Sequence, residues 1–80
     1  MTRAVTIDGW KAELIDQANR ASFYGINGGD ARCFTGSRIA AQAVREALTG
    51  EDYNSFCLIG ATTEYLGRDG YKAVITFKVD

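Results

Sequence analysis

The segment Tyr71–Val79 alternates without a break. Tyr71, Ala73, Ile75, Phe77 and Val79 occupy every second position, with Lys72, Val74, Thr76 and Lys78 between them. Successive side chains of a strand point to opposite faces, so the first set shares one face and the second set the other. One face is apolar and the other carries two lysines and a threonine. This is the pattern of a strand in a sheet that covers a core on one side and meets water on the other. A core strand placed so late in the sequence leads us to expect a single complete domain over 1–80.

Upstream, a run over about 54–66 reads as the partner of this strand. Gly67-Arg-Asp-Gly70 forms the turn between them, and Gly60 marks a bulge. Before that hairpin, Ile39, Ala40, Ala43, Val44, Ala47 and Leu48 recur at helical spacing. Arg38, Gln42, Arg45, Glu46 and Thr49 face water. Ser37 is placed to cap this helix, and Gly50 to end it in a left-handed conformation. The stripe is read as core packing, with Ile39, Val44 and Leu48 buried beside Ile75 and Phe77.

Nearer the start, residues 3–7 alternate around Val5 and Ile7. Asp8 is a candidate N-cap for a helix over 9–21. Its apolar positions are Trp10, Leu14, Ala18 and Ala21, widened by Ile15, and Trp10 is expected to cover the core. Asp16 and Arg20 form an i,i+4 ion pair. The competing reading turns the chain at Asp8-Gly9 and makes Trp10, Ala12 and Leu14 a second strand. The run 18–21 continues a helix better than a strand. Asn27-Gly28-Gly29-Asp30 has turn chemistry, so a hairpin is expected over about 22–35.

These elements give an α+β domain, ferredoxin-like βαββαβ with an extra C-terminal strand. Its two helices lie on one face of an antiparallel sheet of four or five strands. The alternative is a ββ hairpin, one helix and a second ββ hairpin. A chain of 80 residues buries one thin core, so a monomer or weak homodimer is expected, of modest stability unless a partner or a dimer contact adds to it.

Composition removes several function classes. There are 9 Lys and Arg against 10 Asp and Glu, a net charge of -1. That balance argues against direct nucleic-acid binding, whose affinity comes from neutralising phosphates. Histidine is absent and only two cysteines are present, so the usual zinc ligand sets cannot be assembled. No metal or cofactor is expected. Cys33 and Cys57 have apolar neighbours and are read as buried free thiols. No long apolar run suggests a signal peptide or a membrane span, and the expected location is cytoplasmic.

No constellation specifies a reaction, so no catalytic residue is assigned and an enzyme is not expected. Gly25–Gly28 and Gly67–Gly70 both match the GxxG of KH domains, but both fall in expected hairpins and not between helices. The element order is also that of RNA-recognition domains. Thr6 stands where their first stacking aromatic belongs, and Arg32–Gly36 departs from their second motif.

Across its whole length, through the compact pattern from Val5 to Val79, the alanine-rich helix and the tyrosine- and acid-rich second half, the chain resembles the small phage-borne anti-CRISPR proteins. That resemblance implies a non-enzymatic inhibitor that binds a CRISPR effector complex and covers its basic DNA channel. The residues expected to meet such a basic surface are Glu51, Asp52, Tyr53, Glu64, Tyr65 and Asp69, since tyrosines and carboxylates complement an arginine- and lysine-lined groove. The alternatives are a nucleic-acid-binding or regulatory module on a ferredoxin-like sheet and a dimeric assembly subunit.

Overall fold

The C-terminal strand becomes the middle of the sheet. The structure, a computed structural model, describes residues 2–23 and 31–80. In chain order the elements are β1 (Thr2–Asp8), α1 (Gly9–Phe23), α2 (Ala31–Ala47), β2 (Phe56–Tyr65), a 3-10 turn (Gly67–Asp69) and β3 (Tyr71–Val79). The strand order is β1-β3-β2, with β3 antiparallel to both neighbours. β1 and β2 therefore run parallel with β3 filling the slot between them. This is the split arrangement of ferredoxin-like sheets.

Register sorts the side chains as the alternation requires. Val5 lies opposite Ile75 and Ile7 opposite Ala73; from the other side Leu58 faces Phe77 and Ala61 faces Ile75. Between Leu58 and Gly60 the register shifts by one residue, which leaves Ile59 as the extra residue of a bulge. The inner face of β3, Ala73, Ile75 and Phe77, is fully buried against Ala12 and Ile15 of α1 and Ala40, Ala43, Val44 and Leu48 at α2. Phe77, Leu48, Ile75 and Val44 are the largest fully enclosed side chains. Ile39 is half-buried and packs against this cluster.

The α+β class, with two helices against an antiparallel sheet, is as read from the sequence. So are the two strands of the final hairpin, the bulge at Gly60 and the helical reading of the segment after Asp8. Gly9 has φ +73°, which lets β1 turn directly into α1, and Gly50 has φ +86° just beyond α2, where a left-handed residue was expected.

The expected hairpin over 22–35 is corrected. Ala31–Thr35 forms the first turns of α2, the turn Asn27–Asp30 lies outside the described residues, and the sheet among the described residues has three strands. Cys33, Phe34, Thr35 and Gly36 are weak helix formers, which hid this start. Tertiary contact supplies what propensity lacks. Gly36 sits so close to Ala18 that a β-carbon at position 36 would overlap the Ala18 methyl. The Cys33 thiol donates to the Ala18 carbonyl at 3.7 Å across the same seam.

α1 therefore serves two neighbours. Ala12 and Ile15 meet the sheet, while Leu14 and Ala18 lie toward α2. The expected stripe began at Trp10, yet Trp10 is 67% exposed. The single stripe merged two contact faces, and Trp10 lies on neither core-facing position. On its sheet side α1 is fastened to edge strand β2. The Thr63 hydroxyl donates to Asp16 Oδ1 at 2.7 Å, Arg20 pairs with Asp16 Oδ2 at 2.9 Å, and the Asn19 amide donates to the Ala61 carbonyl at 3.0 Å.

Two buried thiols were expected, but Cys33 is only partly buried and Cys57 is exposed. Phe56 and Leu58 face the core, so the residue between them must face out, opposite Lys78. Apolar sequence neighbours in a strand mark the opposite face. No helix among the described residues is long and apolar enough to cross a membrane.

Candidate interaction surfaces

The six residues expected to contact a partner divide into two groups of three. Glu51, Asp52 and Tyr53 lie in the loop from α2 to β2. Glu64 and Tyr65 end β2, and Asp69 lies in the turn that follows. Residues Phe56–Thr63 of β2 separate the groups, roughly 26 Å at about 3.3 Å per residue.

The first group sits beside the start of β1. Both terminal guanidinium nitrogens of Arg3 donate to Glu51, at 2.7 and 3.0 Å. The planar fork matches the carboxylate, and these bonds hold the Glu51 carboxyl below its ordinary range and raise Arg3. The Arg3 guanidinium also lies 5.7 Å from the centre of the Phe77 ring. Glu51 is thus a strap between the loop and β1 and not a spare charge. Two further bonds anchor the same loop: Asn54 N–H to the Asp80 carbonyl at 3.2 Å, and Asp80 N–H to the Ser55 carbonyl at 3.0 Å. Asp52 and the 37%-exposed Tyr53 remain on its surface.

The second group occupies the hairpin end. Tyr65 is 67% exposed and its ring centre is 5.1 Å from that of Tyr71, its cross-strand neighbour. Leu66 follows, also exposed, and Asp69 lies one short turn later. Glu64 is in register with Lys72, which has Asp8 on its other side. This end combines an aromatic platform, an apolar residue and flanking carboxylates.

A third surface was not anticipated. Between α1 and α2, over the end of β1, lies a groove of about 780 Å³. Half-buried Ile7, Leu14 and Ile39 line it together with exposed Trp10 and Phe34. Its charged residues are Lys11, Arg38 and Arg45 against Glu46. Lys11 Nζ lies 5.6 Å from the Trp10 ring centre and the Arg38 guanidinium 5.8 Å from that of Phe34, both within cation–π range. Arg45 lies 5.8 Å from the Phe56 ring centre. Among the described residues the ion pairs are Arg3–Glu51 and Arg20–Asp16, so none of the three groove cations is spent on a carboxylate. The sequence concealed this groove because Phe34 reads as a strand residue and Trp10 as a core residue. The available signal was the pairing of each aromatic with a basic residue one or four positions on, Trp10 with Lys11 and Phe34 with Arg38.

Comparisons with protein-family models, with curated proteins and with solved structures find no match to this chain.

Proposed function

We propose that the protein is an inhibitor of the anti-CRISPR type, which binds a CRISPR effector complex and covers the basic channel that would receive target DNA. It works by occupancy and not by catalysis, in the cytoplasm, as a monomer or weak homodimer. The observation that supports this most is the hairpin end, where the exposed Tyr65 stands between Glu64 and Leu66 with Asp69 close by in the turn. A tyrosine buries a large area on binding while losing few rotamers, and binding hot spots favour it. Carboxylates around it complement arginine and lysine and speed encounter with a basic channel.

The experiment is a binding titration of the purified chain against an effector complex, paired with a measurement of target-DNA binding by that complex. Saturable binding that displaces DNA and weakens as salt rises is the expected result. Tyr65→Ala should weaken binding by about tenfold or more, and Glu64→Lys with Asp69→Lys should slow association. An effector complex that takes up DNA equally well with and without the protein removes the reading. Full inhibition by Tyr65→Ala removes the hairpin end as its contact.

A further inference from the structure

We infer that the groove between α1 and α2 is a separate docking site for an acidic amphipathic helix of a protein partner. Its volume, about 780 Å³, falls within the range of roughly 300–1,000 Å³ in which clefts enclose ligands. Two helices form its walls, and Ile7, Leu14 and Ile39 provide an aliphatic lining. That lining suits apolar side chains spaced i, i+3 or i+4, and i+7 along a helix laid into a groove. Trp10 and Phe34, at 67% and 64% exposure, supply the large aromatic area that anchors such contacts.

Charge decides which helix. Lys11, Arg38 and Arg45 outnumber Glu46, and the Gln42 amide already donates to Glu46 at 3.4 Å. The cations are held against aromatic rings and not against carboxylates, so their donors remain open to acids flanking an apolar stripe. A nucleic acid fits less well. A chain of net charge -1 gains little from counterion release. The groove and the hairpin end lie toward the same end of the sheet, where Asp8 and Glu64 flank Lys72, but none of Glu64, Tyr65, Leu66 and Asp69 lines the groove, and the inference does not depend on the inhibitor reading.

The test uses the intact protein and four labelled probes. These are a synthetic amphipathic helix with leucine and phenylalanine on its apolar stripe and glutamates elsewhere, the same peptide with lysines for glutamates, oligothymidylate and oligouridylate. The acidic peptide is expected to bind saturably and to shift the emission of Trp10, the chain's single tryptophan, to the blue. Its affinity should fall with salt and by about tenfold or more in Arg38→Glu and in Phe34→Ala. Both positions are exposed, and matching thermal melts confirm that the variants fold. Tyr65→Ala, at the hairpin end, should leave peptide binding unchanged, so this site and the inhibitor contact are judged separately. No binding of the acidic peptide, unchanged affinity in both groove variants, or tighter binding of the lysine peptide overturns the inference. Tighter binding of either oligonucleotide does so in favour of a nucleic-acid site.

Discussion

Gly36 of α2 lies directly against Ala18 of α1, with no room for a β-carbon between the two helices. Alanine suits a helix better than glycine by about 1 kcal/mol. Overpacking costs about 1–3 kcal/mol, and at this seam the overlap should dominate. Gly36→Ala should therefore lower stability in a urea titration. Adding Ala18→Gly should restore part of it by returning the space. A Gly36→Ala protein more stable than the parent would show that the helices can move apart freely.

Leu48 follows the last turn of α2 and is 1% exposed within the core. Leu48→Ala removes most of a side chain from a site enclosed by both layers and should destabilise by about 2–5 kcal/mol. Ile39→Ala, at the half-buried edge of the same stripe, should have a smaller effect. Chemical denaturation of the two variants side by side checks the order.

The Arg3–Glu51 pair makes stability depend on acid. Glu51 has its carboxyl held below the ordinary value of 4.5 by hydrogen bonds from Arg3 and, to a lesser extent, by its charge. Between the depressed folded value and the ordinary unfolded one, the unfolded chain binds more protons, so stability rises with pH there. The contribution is fully present above about 4.5 and disappears as pH falls through the folded value. Thermal melts should show the parent more stable than Glu51→Gln near neutrality, with the difference shrinking in acid. The pair is at the surface, so the effect should be small and reduced by salt.

Cys57 should react with a thiol reagent in the native state while Cys33 lags behind. Cys57 is exposed on an edge strand, and Cys33 is partly enclosed against Ala18. Mass spectrometry of partially labelled native protein should find the first adduct on Cys57. Equal rates at both positions would mean that the helix seam opens readily.

The strands and the second half of the fold were legible because their signals are local. Period-two alternation fixed the inner face of β3, and Gly67-Arg-Asp-Gly70 is a turn on its own chemistry. The start of α2 was illegible because Cys33, Phe34, Thr35 and Gly36 favour other structures, and the contact that holds them helical comes from Ala18, fifteen or more positions away. Trp10 misled for the opposite reason. A large aromatic at helical spacing usually marks a core, and only the second contact face of α1 reveals that this ring is left outside. The proposed contact residues were read as meeting one basic surface, but most of β2 divides them, and the Arg3 bonds that occupy Glu51 cross from the far end of the chain. The groove formed by Trp10, Lys11, Phe34 and Arg38 needs both helices in place before its parts are neighbours.

The position of β3 also orders events during synthesis. β1 leaves the ribosome first, yet its strand partner is β3, with Thr2 opposite Lys78. The helix pair can dock at Gly36 and Ala18 as soon as both are made, because those contacts are close in sequence. The apolar side that will cover the sheet then has nothing beneath it until Tyr71–Val79 emerges and inserts between two strands already waiting. A nascent chain halted before that strand would expose Ile15, Val44 and Leu48 to whatever binds sticky helices, and its release would set the pace of folding.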